Sequence, residues 1–161
     1  MILLYGSIIA FNFVAFKTVN KFSWNMITHI TVFTCLFQLI FDVFIDLKYE
    51  GYWYGTKGID WAVLPAYFIL FPPVNLMFLN WFPFNQSIYK KLAYVGIWEI
   101  LLLTYEFLTL MPEPWGYFHY GWWSMWHSAF VNPILLITLL GYYKWTRLLE
   151  DHVIMNRGIF R

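Results

Sequence analysis

The chain has 161 residues, of which 61% are apolar, 24% aromatic and only 12% charged, with a net charge of +1 at neutral pH. Soluble domains carry about 25% charged residues, so this composition reads as one integral membrane domain spanning residues 1–161. The near-neutral balance lacks the basic surface that phosphate backbones require, which excludes nucleic acid as a partner. The single cysteine, Cys35, excludes an internal disulfide and a cysteine-built metal cage within one chain.

Apolar runs separated by charged or glycine-rich connectors predict five membrane-spanning helices, at about residues 2–16, 24–45, 61–81, 92–110 and 126–145. The first run, MILLYGSIIAFNFVAF, lacks the basic leader and small-residue cleavage site of a secretory signal, so it reads as a retained span. It is short for a full crossing and carries Asn12.

The second run places Thr28, Thr31, Cys35, Gln38 and Asp42 at steps of three and four, with Asp46 continuing that face. A polar stripe on an apolar helix has to face protein or water. The third run, WAVLPAYFILFPPVNLMFLNWFPF, has Pro72 and Pro73 at its centre. Two adjacent prolines remove two backbone donors, so the expectation is a span kinked at this pair. Its freed carbonyls need partners, because lipid supplies none. Asn75 and Asn80 are the local candidates.

The fourth run carries Glu99 and Glu106, nearly two turns apart on one side. Intramembrane carboxyls cost about 2.5–3.5 kcal/mol on insertion scales and face the bundle interior. They serve equally as a hydrogen-bonded tie between helices or as a functional group. The fifth run begins near His127 and ends in a short tail of mixed charge that contains His152. That histidine and His29 carry no pattern and read as structural.

Lys17, Lys21, Lys90, Lys91, Lys144, Arg147, Arg157 and Arg161 would lie on one side, and only Lys48 and Lys57 on the other. By the positive-inside rule this predicts N-out and C-in. The outer side then receives two connectors that mix aromatics with glycine, KYEGYWYGTKGID and MPEPWGYFHYGWWSMW. They read either as an interfacial aromatic belt or as a lid over a pocket. That topology gathers Asp42, Lys57, Asp60, Glu106, His119 and His127 toward the outer half, with Asn75 and Glu99 deeper. This set is the candidate polar pocket.

No HxxxH or HxxE spacing prearranges a metal site, and the identity of any metal or cofactor stays open. Ser124 and Ser128 flank His127, but neighbouring positions on a helix do not face each other, and there is no GxSxG, P-loop or HExxH motif. No catalytic residue is assigned.

The run Tyr52-Trp53-Tyr54, Lys57-Gly58, Asp60-Trp61, Leu64-Pro65-Ala66-Tyr67, Phe71-Pro72-Pro73-Val74-Asn75 and Asn80 through Pro83-Phe84 resembles a family of small uncharacterised polytopic membrane proteins of spore-forming bacteria, the bacilli and clostridia. Tyr105-Glu106, Gly121-Trp122, Trp126, Ser128 and Pro133 are similar to it as well. The resemblance implies a bacterial cytoplasmic membrane and a helix bundle, and marks Lys57, Asp60, Asn75 and Glu106 as positions of the family pattern. It implies no activity.

The sequence thus predicts an all-α bundle of five transmembrane helices. Its leading functional reading is a non-enzymatic module that binds a lipid, an ion or a protein partner, alone, as a homo-oligomer or as a subunit of a membrane assembly. The competing reading is a small intramembrane enzyme or proton-coupled carrier that uses the outer carboxylates and histidines.

Overall fold

A computed structural model describes residues 1–159, with side chains through Val153. Arg157 and Arg161, two of the cations behind the predicted orientation, lie outside the described side chains. The elements are α1 (Ile2–Thr18), α2 (Trp24–Asp42) running into a π-helical turn at Val43–Lys48, β1 (Tyr52–Tyr54), a second π-helical turn at Ala66–Leu70 leading into α3 (Phe71–Trp81), α4 (Ile88–Thr109), β2 (Phe118–Tyr120) and α5 (Met125–Ile159).

Three of these helical stretches are long and apolar enough to cross a membrane: Trp24–Lys48, Ile88–Thr109 and Met125–Val153. Their outward faces fit a lipid solvent, with Leu36, Ile97, Leu101, Phe130, Ile134 and Ile137 all exposed. Two helical stretches are shorter, Ile2–Thr18 and Ala66–Trp81.

The helices alternate in direction. At one end the Ile2 amide donates to the Pro114 carbonyl at 3.1 Å, and Tyr117 N–H reaches Thr109 O at 2.9 Å. At the other, Lys21 Nζ and Asn80 Nδ2 tie the α1–α2 connector to the end of α3, through Asn80 O at 2.5 Å and Thr18 O at 3.0 Å. Asn25 Nδ2 meets Glu150 Oε1 at 2.5 Å, which fastens α2 to the lower part of α5. That helix continues well past residue 145, through the segment expected to be a tail.

The third apolar run differs from expectation in an instructive way. Residues 61–63 are a turn, and Pro72 and Pro73 stand in the first turn of α3 rather than in the middle of a helix. The irregularity lies one turn earlier, where the Phe71 amide bonds Ala66 O in the wider π pattern. A proline at 73 leaves Ile69 O without its helical donor, and Asn12 Nδ2 of α1 supplies one at 2.7 Å. Tyr67 O, bypassed by the π turn, accepts from Cys35 Sγ at 3.4 Å.

Two of these carbonyls are therefore served from neighbouring helices. Asn75 and Asn80 are committed elsewhere, to Thr34 Oγ1 and Thr18 O at 3.0 Å each. Cys35 is thus a hydrogen-bonding group as well as a packing residue.

One β element interrupts the all-α expectation. β1 and β2 form a two-stranded antiparallel ribbon, with Tyr52 opposite Tyr120, Trp53 opposite His119 and Tyr54 opposite Phe118. Both strands come from the glycine-aromatic connectors. Gly121 N–H and Trp123 N–H both donate to Gly51 O, at 2.8 and 2.9 Å, closing the ribbon at its base. Close packing beneath it centres on Tyr52, Phe118 and Trp123, while Ile30, Phe78 and Leu79 form the core toward the other end.

Candidate functional site

Period-two alternation sorts the ribbon's side chains onto two faces. Tyr52, Tyr54, Phe118 and Tyr120 share one face, and Trp53 and His119 share the other, with their rings stacked at 5.6 Å. The first face turns toward the helices. Tyr52, Tyr54 and Phe118 line one side of a cavity of about 230 Å³ between α2, α3, α4 and α5. Phe33, Phe37, Val74, Leu136 and Leu139 form its apolar wall, and Thr34, Gln38, Asn75, Glu106, Ser128 and Asn132 contribute polar groups. The inward face of the ribbon thus lines a pocket.

Among the described residues Glu106 is the only carboxylate lining this cavity. Its Oε1 accepts from Tyr120 Oη of the ribbon and from Ser128 Oγ of α5 at 2.6 Å. Ser128 Oγ also accepts from Trp123 Nε1 at 2.9 Å, so the carboxylate's position is fixed by a chain of three residues. No described residue bonds Glu106 Oε2. Among the described residues no lysine, arginine or histidine lines the cavity, and the only ion pair is Lys57–Glu50 on the exposed surface.

One turn deeper along α5, Asn132 Nδ2 donates to Glu99 Oε1 at 3.4 Å, while Glu99 Oε2 is buried without a partner. Ser128 and Asn132, four residues apart, face Glu106 and Glu99, seven apart. These two pairs make a polar ladder along the α4–α5 seam.

Asp42 has a parallel arrangement outside the cavity. It is buried, accepts from Tyr52 Oη, and receives Gln38 Nε2 at 3.2 and 3.3 Å. Burial, and then the adjacent Asp42 carboxylate, push the Tyr52 phenol far above its ordinary value. Burial and the bond to Glu106 do the same for Tyr120. Both hydroxyls therefore stay protonated and donate.

The remaining expected pocket residues sit elsewhere. Asp60 organises the loop after β1, accepting from Thr56 N–H at 3.0 Å and Ala62 N–H at 2.9 Å. These bonds, Thr56's first, hold its carboxyl below the usual range. Lys57 lies over the Trp53 ring at 4.8 Å, on the ribbon's outer face with His119.

His127 is exposed and serves the start of α5. Its Nδ1 lies 3.1 Å from Ser124 N–H and 2.9 Å from Ser124 Oγ. Residues three apart on a helix do meet, so Ser124 and His127 touch, contrary to the sequence reading. The backbone amide bond to Nδ1 makes the pair a helix cap of the capping-box kind, with histidine in the acidic residue's place. Among the described residues no three His, Cys, Asp or Glu side chains come close enough to hold a metal ion. Thr28, assigned to the polar stripe, is exposed and bonds back to Trp24 O at 3.0 Å.

Of the eight expected residues, the structure brings Asn75 and Glu106 to the cavity, sets Glu99 behind it and Asp42 beside the ribbon, and takes Lys57, Asp60, His119 and His127 away. Tyr52, Tyr120, Ser128 and Asn132 were not assigned to the pocket. The alternation within Tyr52-Trp53-Tyr54 and Phe118-His119-Tyr120, and the Ser128–Asn132 spacing on an apolar helix, are the signals that could have found them. Comparison with family models, curated proteins and solved structures finds no match for the chain.

Proposed function

We propose that the chain is a multi-pass protein of a bacterial cytoplasmic membrane, with five spans, N-out and C-in, that binds a small amphiphilic molecule in the cavity beneath the ribbon. The binding is non-enzymatic, and the protein works alone or as a subunit of a membrane assembly. The family resemblance belongs to this same proposal. Alternating helices and the eight-to-two division of cations support the orientation.

The observation that carries the binding reading is Glu106. It is a carboxylate fixed from two sides on one oxygen, with the other oxygen unbonded by any described residue, in the wall of an otherwise mostly apolar cavity. The volume exceeds the ~150 Å³ of an engineered cavity that takes up benzene, so a small organic group fits.

The second reading, a proton-coupled carrier or intramembrane enzyme, draws on the α4–α5 ladder, where Glu99 Oε2 is buried without a partner behind Glu106. Native mass spectrometry of protein extracted gently from its own membrane, with elemental analysis of the same sample, tests the proposal. A small molecule retained in stoichiometric amount in the wild type and lost in Glu106→Gln is the expected result. A bare chain with a second polypeptide attached overturns ligand binding as the primary function.

A further inference from the structure

We propose that the cavity selects a ligand bearing an ammonium group, with the cation against Glu106 and an alkyl segment along the apolar wall. This inference rests on the binding reading above and adds the chemical class. Three observations carry it. The first is the polar lining: among the described residues Glu106 is the cavity's only carboxylate, and no basic side chain lines it. Two hydroxyl donors hold Oε1 in place, and Oε2, bonded by no described residue, is left to accept from a donor that comes with the ligand.

The second is the aromatic enclosure. Tyr52, Tyr54, Tyr105, Tyr117, Phe118 and Trp123 all contribute to the walls around this carboxylate. Aromatic faces attract alkylammonium groups, and a desolvated contact is worth ~2 kcal/mol or more. No described basic side chain lines the cavity to attract an anion. The third is the division of the cavity. Its aromatic and carboxylate part lies under the ribbon, and Phe33, Leu135, Leu136 and Leu139 of α2 and α5 make the rest mostly apolar, with Thr34, Asn75 and Asn132 among them. A head-and-tail amine matches that order.

The test uses the full chain in uncharged maltoside micelles, with n-hexylamine and n-hexanol as probes of equal length. Binding is read as the concentration that half-saturates the shift in thermal unfolding midpoint. The amine is expected to bind the wild type at least tenfold more tightly than the alcohol. Glu106→Gln keeps an oxygen acceptor for Tyr120 and Ser128, so it is expected to bring the amine down to the alcohol's level without weakening the alcohol. Equal binding of the two probes to the wild type overturns the ammonium assignment and leaves the cavity as a binding site. Saturable binding of neither overturns both. Should Glu106→Gln fail to fold, the wild-type ratio alone decides. An amine preference that survives in a folded Glu106→Gln protein overturns the assignment as well.

Discussion

Tyr52 and Tyr120 stand directly opposite each other across the ribbon, and each donates its hydroxyl to a carboxylate in a different long helix, Asp42 in α2 and Glu106 in α4. A strand pair of three residues each has too little backbone bonding to persist alone. Here it is pinned from below by two hydrogen bonds to buried or half-buried acids. The ribbon side of the cavity and the packing of α2 relative to α4 are thereby one mechanical unit.

Removing either hydroxyl should loosen that unit unequally. Tyr52→Phe takes from the buried Asp42 its short phenolic donor and leaves Gln38 at 3.2 and 3.3 Å with the Tyr67 hydroxyl nearby. Tyr120→Phe leaves Glu106 with Ser128 at 2.6 Å. Loss of a partner from a buried acceptor costs about 1–3 kcal/mol, so Tyr52→Phe is expected near the top of that range and Tyr120→Phe near the bottom. Reversible unfolding in mixed micelles measures both, and the reverse order would refute the pinning described here.

The bond from Asn12 to Ile69 O makes a second prediction. Asn12→Leu orphans a carbonyl that Pro73 cannot serve, with an expected loss of about 1–3 kcal/mol. Pro73→Ala restores a backbone donor four residues after Ile69. The double substitution Asn12→Leu with Pro73→Ala is expected to recover most of the loss, giving a coupling energy of about 1 kcal/mol or more in a double-mutant cycle. Additive effects would show that Asn12 stabilises α1 for another reason.

Hydropathy made the long helices legible, because a bilayer imposes length and composition on anything that crosses it. Periodicity likewise put Glu99 and Glu106 on one inward side. The ribbon was not legible, since its strands are three residues long and begin 66 residues apart, at Tyr52 and Phe118, with Tyr52 and Tyr120 pairing only through the fold. The histidines were misplaced for a related reason. Topology sets which end of the molecule His119 and His127 occupy, but strand parity turns His119 away from the cavity and helix capping occupies His127. The prolines were correctly marked as a defect needing partners. Which partners, Asn12 and Cys35, depended on which helices pack against that turn.

The loop after β1 should respond to acid through Asp60. Its carboxyl is held below the ordinary value by Thr56 and Ala62 amides. A depressed folded-state value gives stabilisation that is present above the unfolded value of about 3.9 and lost as pH falls through the folded one. Protection of the Thr56 amide against hydrogen exchange is therefore expected to hold at neutral pH and to fall only below about pH 4. Asp60→Asn should lower that protection at neutral pH and remove the further acid loss. An acid response unchanged in Asp60→Asn would assign it to another group.

Glycine at position 121 is required by space. A Cβ there would press into the Glu50 carbonyl oxygen and lie 3.1 Å from Gly51 O, at the point where Gly121 and Trp123 amides both bond Gly51. Backbone carbonyls cannot swing aside as a flexible side chain can, so Gly121→Ala should part the base of the ribbon. Gly96, within α4, has nothing within 4 Å of its built Cβ. Gly96→Ala removes a helix-interior glycine and is expected to be neutral or stabilising by about 0.5–1 kcal/mol. Hydrogen exchange at residues 52–54 and 118–120 distinguishes the two, with protection lost in Gly121→Ala and retained in Gly96→Ala. Because the ribbon lines the cavity, the former should also release any small molecule that the wild type retains on extraction. Intact ribbon protection in Gly121→Ala would mean that the Gly51 junction does not hold the ribbon in place.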